Sequence, residues 1–436
     1  MKKNIYYLLT AVTFFLVSCE KSGDGQSSIS EKIWKNPPSN ILADEEIKDE
    51  IKRKLEILNS FLDENNLGGM LFTQVRNVNW ITAGLANTQI VLNKDIGAAS
   101  LLIMRDGKKY LICNGSEAGS LMDEVLGKFG YQLKKYNWYE ANSIKDVREE
   151  IIREIAAKLR IGSDTQFPGT VAMADKFKPL RYSLLPSEIK RYKWLGQQTT
   201  EAVAQICKTI KPGMNEFEIE AITAAELRSR GILPTVLLIG VDERIFSYRH
   251  CLPNGASLNK YAMINVVAEK WGMPVAVTRF VHFGKLSPEL KNKIEKTAFF
   301  NAKYQEATVP GKKLRDIWDE CKSWYSEAGF TDEWMNHHQG GAIGYDDREY
   351  VNCPENENVV QEFQGFAWNP TITGAKVEET MIVSKDGFEV ITKSEDWPMI
   401  NVVLKGKSYP QPDILIRDQA NGEIIKQEVR TIEADK

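Results

Sequence analysis

Apolar residues recur at helical spacing over residues 46–65 and predict an amphipathic helix at the start of the folded chain. Two short apolar runs follow, Gly69-Met-Leu-Phe-Thr and Ala98-Ala-Ser-Leu-Leu-Ile-Met, each bounded by polar or turn residues as buried strands are. Asp106-Gly107 then separates the second run from Lys109-Tyr-Leu-Ile-Cys, a hairpin signal. Helical patterns over 117–129 and 143–159 complete a first α/β unit. A second unit opens at Pro186-Ser187-Glu188, where Ser187 is placed to cap a helix whose residues Ile189, Tyr192, Leu195, Ala202, Val203 and Ile206 share one face. Lys211-Pro-Gly-Met-Asn215 stops that helix, and further helices are expected over 216–229, 288–308 and 313–328. Between them, β-rich runs from Tyr261 and from Met273 flank Trp271-Gly272 and predict a hairpin, with Asn265 and Ala276 roughly opposite each other.

Helices backing a largely antiparallel sheet are α+β logic. With 436 residues, 43% of them apolar, the chain can bury one large core or two ordinary ones. Two domains are expected, an α/β domain over 41–180 and a larger one over 186–405, with a polar extension at 406–436. A net charge of −3 with dispersed Lys and Arg excludes a large basic footprint, so nucleic acid is not an expected partner.

The first residues change the picture of where the protein resides. Lys2 and Lys3 precede an apolar run over 5–17 that ends in Leu16-Val17-Ser18-Cys19, which resembles a bacterial lipobox. Residues 1–18 then form a cleaved signal peptide and Cys19 is the lipidation site, anchoring the protein to membrane in the bacterial cell envelope. As an uncleaved anchor helix the run is short. Residues 19–40, rich in Ser, Gly and charge, read as a tether. The other five cysteines are widely and irregularly spaced, with no zinc or redox pair; they read as small buried residues or as a disulfide in an exported protein.

The order of motifs from residue 47 to 397 resembles the methionine aminopeptidase, prolidase and aminopeptidase P superfamily. That resemblance implies a pita-bread fold with a smaller creatinase-type N-terminal domain. It also implies five metal-ligand positions: two hairpin aspartates, a histidine in a Gly-rich run, a glutamate before proline and a late glutamate. The matching residues here are Asn265, Ala276, Gly341, Asn369 and Glu378, of which only Glu378 is of the family's type. One carboxylate cannot balance two divalent cations, so neither metal nor another cofactor is expected. Creatinase, a metal-free member, is similar at the two hairpin positions but keeps the histidine and first glutamate, so its mechanism does not carry over intact.

The resemblance further implies that His250 sits near the family's substrate-contacting histidine, suited to proton exchange near neutral pH; a structural histidine bonded to backbone is the other reading. His337 precedes Gly341 by four residues and matches an aminopeptidase P substrate histidine. His337 and His338 would face opposite sides of a strand, so at most one is expected in the pocket. Gly340-Gly341 reads either as a bulge or close approach, or as a pocket floor widened by loss of the metal histidine. Arg348-Glu349 resembles a creatinase pair in which arginine contributes to carboxylate binding, and otherwise reads as an ordinary ion pair. Glu378 either orients His250 or a cationic group, with a pKa raised by an apolar pocket, or forms a salt bridge with Arg279 or Lys376. Its neighbour Glu379 is a further substrate-binding candidate. Trp334, Trp368 and Trp397 line a cleft or serve as packing groups.

Two functions follow as expectations. In one, His250, His337 and Glu378 hydrolyse a C–N bond in a small carboxylate-bearing molecule or short peptide without metal, with Arg348, Glu349 and Glu379 holding the substrate. In the other, the same pocket binds a peptide or metabolite without turnover. A homodimer is expected by analogy with creatinase.

Overall fold

The computed structural model describes residues 40–433, so Cys19 and the signal peptide lie outside the described residues. The first helix, Asp44–Glu64, starts on three acids that complement the positive end of its dipole, and the Glu46 carboxylate accepts from the Ala43 amide at 2.9 Å. Its stripe of Ile47, Ile51, Leu58, Phe61 and Leu62 is buried. The helix accompanies a six-stranded mixed sheet in which Gly69–Gln74 runs antiparallel to Ile96–Met104 and parallel to Ile161–Ser163. The Asp106-Gly107 turn is present, with Gly107 at φ +88°.

The two helical patterns that follow are shorter or less regular than the sequence predicts. Residues 115–129 form one α-turn segment, Gly115–Ser120, then the π-helical Leu121–Val125 and the 3₁₀ turn Leu126–Phe129. The next helix is confined to Val147–Ala156, where the Asp146 carboxylate caps the Arg148 amide at 2.9 Å.

The second unit contains the elements expected, with one correction at its entrance. Helix Pro186–Thr209 begins at Pro186, which needs no hydrogen-bond acceptor for its nitrogen. Ser187 therefore lies inside the helix and does not cap it; its hydroxyl donates to Glu50 of the first helix at 2.7 Å. The Glu188 carboxylate instead accepts from the Leu185 amide at 2.7 Å. Helix Glu216–Ser229 has reciprocal capping, Asn215 Oδ1 accepting from the Glu218 amide and the Glu218 carboxylate from the Asn215 amide.

The hairpin Tyr261–Lys270 and Met273–Phe283 turns through Trp271 and Gly272, both at positive φ (57° and 76°), the geometry of a tight two-residue connection. Its register pairs Asn265 with Thr278 and Val267 with Ala276. Asn265 and Ala276 are thus diagonal neighbours offset by two residues, not directly opposed, and the offset keeps both on one face. The hairpin belongs to a four-stranded sheet with Leu233–Val241 and, parallel to its outer edge, Leu415–Arg417.

A second sheet of five strands, ordered Tyr350–Val351, Gly340–Ile343, Gly365–Trp368, Glu379–Ser384 and Gly387–Val390, meets the hairpin along a seam. There the Ala276 amide donates to Thr380 Oγ1 and Thr380 Oγ1 donates to the Ala276 carbonyl, both at 2.9 Å. Met399–Leu404 pairs with Lys407–Pro412 across a turn at Lys405-Gly406, and Arg430–Glu433 adds a parallel strand. Within the 406–436 extension, buried Arg417 donates to the carbonyls of Cys207 and Ile210, capping the end of helix Pro186–Thr209.

Between the first helix and this unit lies a fully buried charge network. Lys54 Nζ sits 2.7 Å from both Glu50 and Glu188 and donates to the Trp80 carbonyl at 2.7 Å, while Arg191 meets Glu50 at 2.6 Å.

Candidate active site

The seam between the two sheets brings Asn265, Asn369 and Arg348 around Glu378. Glu378, 2% exposed, follows the strand pair Thr371–Ile372 and Ala375–Lys376. Its Oε2 accepts from Thr278 Oγ1 at 2.6 Å and from Asn265 Nδ2, and its Oε1 accepts from Asn369 Nδ2 at 3.1 Å. Arg348 lies 3.8 Å from Oε1 and Lys376 3.9 Å from Oε2. Burial pushes the Glu378 carboxyl up, but Lys376 and Arg348, with the Thr278 and Asn369 hydrogen bonds, hold it below the usual carboxylate range. The rise expected for an apolar pocket is therefore reversed. An ionised carboxylate only accepts, so both asparagines must turn their NH₂ groups toward it.

The remaining two matched positions carry no donor. Ala276 is fully buried against Thr380. At Gly341 a Cβ would lie 2.2 Å from the Tyr350 carbonyl oxygen, so the neighbouring strand fills the space a side chain would need. Gly340, at φ +106° and with a Cβ position 2.2 Å from the Ala367 carbonyl, is confined to glycine for both reasons.

Above this carboxylate the histidines converge. His250 Nε2 and His337 Nε2 are 2.9 Å apart, and the His337 and His338 rings stack with centroids 4.3 Å apart. Both neighbours thus join the cluster, contrary to the expectation that only one would. They lie in the loop before the strand Gly340–Ile343, where strand alternation does not operate. All three imidazoles are held below their ordinary range by loss of solvent, strongly for the buried His337 and on the protein-facing side of the more exposed His250 and His338; Lys376 adds to the effect at His250, and Arg348 and Lys376 help push His338 down to about 4. They are neutral at neutral pH.

Residues outside the sequence-based set hold this cluster. Arg249, adjacent to His250, donates to Thr371 Oγ1 at 3.0 Å and Thr373 Oγ1 at 2.9 Å, and pairs with Glu333. Glu333 opens the 3₁₀ turn Glu333–Asn336 that leads into His337. One ion pair therefore ties together the two segments that carry the histidines. Gln339, fully buried, donates to the His337 carbonyl at 2.5 Å and accepts from Tyr325 Oη at 2.6 Å. Lys376 was signalled only as a salt-bridge partner; its place two residues before Glu378 on an extended chain is the pattern that puts both on one side.

Glu349 and Glu379 are not brought to the cluster. Glu349 is bonded by Arg181 at 2.8 and 3.0 Å and by the Tyr345 amide at 3.0 Å. Glu379 faces away from Glu378, paired with Arg279 at 2.7 Å and accepting from Thr392. Arg348 therefore pairs with Glu378 rather than with Glu349. The tryptophans pack: Trp368 donates to Thr308 Oγ1 at 3.0 Å, Trp397 to the Asp413 carbonyl at 2.8 Å, and Trp334 lies edge-on to Trp318.

Comparison with known proteins finds peptidases and solved structures of similar fold. Residues 190–385 match the model of metallopeptidase family M24. An uncharacterized peptidase of Staphylococcus aureus (strain MW2) is 22% identical over 317 residues, covering 68% of this chain and 88% of that protein. The putative dipeptidase YkvY of Bacillus subtilis (strain 168) is 22% identical over 320 residues, covering 67% and 86%. The crystal structure of the prolidase from Pyrococcus horikoshii OT3 superposes with a TM-score of 0.66 at 18% identity, over 79% of this chain and 99% of that one.

Proposed function

We propose, from the premise that residues 190–385 are a metallopeptidase family M24 domain with the pita-bread fold, that this peptidase-like chain hydrolyses a C–N bond without the family's metal pair. The substrate class is a small carboxylate-bearing molecule or a short peptide. The observation that carries the reading is the environment of Glu378. At the positions where the fold would supply metal ligands, two amide NH₂ groups point at its carboxylate, and Arg348 and Lys376 supply the positive charge. Two divalent cations added there would meet one carboxylate already satisfied by donors and two cations already in place, so the family's metal pair does not fit these residues. The interaction of Glu378 with Lys376 and Arg348 is a structural counterpart of that lost charge balance.

The His250–His337 pair supports the hydrolytic step. One neutral imidazole takes a proton from an attacking water as its oxygen bonds to the carbonyl carbon, and the departing nitrogen receives a proton as the C–N bond breaks; one water is consumed. The two rings share a hydrogen bond, so a proton gained by one is placed beside the other. Lys376 and Arg348, in net excess over Glu378 by one positive charge, favour an anionic substrate group.

Binding without turnover is the second reading. It needs only the charge complementarity that Arg348, Lys376 and Glu378 offer a ligand, without a proton-transfer step. Lipidation at Cys19, envelope anchoring and a homodimer are parts of the same proposal, supported by Leu16-Val17-Ser18-Cys19 and by the creatinase resemblance. The test is a ligand-screen thermal shift on the mature chain with dipeptides and N-acylated amino acids, then turnover of each stabilising compound with and without chelator. Chelator-insensitive hydrolysis supports the first reading. Stabilisation without turnover supports the second, and activity that appears only on metal addition overturns the metal-free chemistry.

A further inference from the structure

The three histidines form a cluster that shares no residue with the five matched ligand positions at 265, 276, 341, 369 and 378. One ring nitrogen of each lies within 4.8 Å of those of the other two. His337 is 9% exposed and forms the floor, while His250 and His338 reach solvent and leave an entry path. We propose that His250, His337 and His338 bind one borderline divalent cation of the zinc class, with the remaining coordination position open to water or ligand.

Donor chemistry selects the ion. Three imidazoles without a carboxylate suit zinc, nickel or copper and not magnesium, calcium or manganese, which prefer oxygen. Tetrahedral zinc with Zn–N of about 2.0–2.1 Å places its nitrogens roughly 3.3 Å apart. The His250–His337 separation of 2.9 Å must open slightly and the third nitrogen must close from within 4.8 Å. Both adjustments fall on His250 and His338, the two exposed rings. The scaffold beneath stays fixed, since Gln339 holds the His337 carbonyl and the Arg249–Glu333 pair brackets the two segments.

Proton balance is simple. One of the two Nε2 atoms in the His250–His337 bond carries the shared hydrogen, and coordination through both requires that proton to move to Nδ1 of its own ring. All three rings remain neutral, the state their surroundings already favour. Lys376 and Arg348 oppose a further cation while Glu378 favours it, which sets a limit on affinity and leaves the site reversible.

Bound metal occupies the lone pairs that proton exchange needs, so the cation inhibits. This consequence rests on the hydrolytic reading above; the binding does not. The experiment uses the chelator-treated mature chain titrated with ZnCl₂ against a chromophoric chelator, and with CoCl₂ for the visible spectrum of tetrahedral cobalt. One ion per chain, with affinity falling on the order of 100-fold or more in His338→Asn, is the expected result, since even outer-shell changes cost about 10–100-fold. His338→Asn leaves the His250–His337 hydrogen bond in place, so the turnover the variant shows without metal, whatever its level, should be insensitive to added zinc. Absence of stoichiometric binding, or equal affinity in His338→Asn, overturns the site and leaves the hydrolytic reading untouched. Stoichiometric binding with undiminished turnover confirms the site and overturns the inhibitory role.

Discussion

Replacing Asn265 by Asp is the sharpest perturbation of the Glu378 cluster, because it changes one NH₂ group to an oxygen and almost nothing else in shape. Asn265 Nδ2 now donates to Glu378 Oε2 and, at 2.8 Å, to Thr278 Oγ1, whose own hydrogen is committed to Glu378. In Asn265→Asp two carboxylate oxygens face each other and the Thr278 hydroxyl can serve only one. The pair must share a proton, as like charges at contact cannot both ionise. Holding an Asp of ordinary pKa about 3.9 protonated at pH 7.5 costs at most about 5 kcal/mol, at 1.36 kcal/mol per unit. Lys376 and Arg348, 3.9 and 3.8 Å from Glu378, relieve part of this, leaving about 2–4 kcal/mol.

The sign with pH follows. The folded variant binds more protons than the unfolded chain between the ordinary and the raised pKa, so its stability falls as pH rises through that window. The deficit against the parent should shrink by up to about 3.4 kcal/mol on going from pH 7.5 to pH 5. Urea midpoints of parent and variant at both pH values, with chelator present, measure it. Manganese or zinc should not restore the variant through this pair, since Ala276 and Gly341 add no ligand. A variant as stable as the parent at pH 7.5 would refute the reasoning.

Other expectations are simpler. Lys54→Met leaves Glu50 and Glu188 buried with Arg191 alone, and should cost about 3–5 kcal/mol in urea unfolding. Gly341→Ala forces a Cβ onto the Tyr350 carbonyl and should destabilise by about 1–3 kcal/mol, read as a lowered melting temperature. His250→Ala should lower turnover about 10²–10⁴-fold in a chain that still folds, with a stability cost of no more than about 1–3 kcal/mol for the His337 nitrogen left unpaired; unchanged turnover excludes it from proton transfer. Cys19→Ala should leave the chain unlipidated by mass spectrometry in the native host.

Where local rules decide structure, the sequence was readable. The Trp271-Gly272 hairpin and the helix over 216–229 depend on adjacent residues, and both stand as expected. Ser187 was misread because Pro186 starts the helix one residue earlier, Glu188 of the same helix accepts from the Leu185 amide, and Glu50 on another helix takes the Ser187 hydroxyl. The π and 3₁₀ turns after Ser120 arise from packing that helical periodicity does not encode. In the site, His250 and His337 were singled out by the family resemblance and lie side by side, but the partner of Glu349 is Arg181, 168 residues away. His338 was discounted by strand alternation, a rule that fails in the loop it occupies. The role of Arg249 and Glu333 depends on a contact between loops that neither segment announces alone.

Elemental analysis after incubation with excess manganese or cobalt and removal of unbound ion tests the central claim most directly. The Glu378 environment predicts no metal pair, and any single zinc-class ion retained should be lost in His338→Asn. Two tightly held metals per chain, with hydrolysis abolished by chelation and restored by metal, would contradict it.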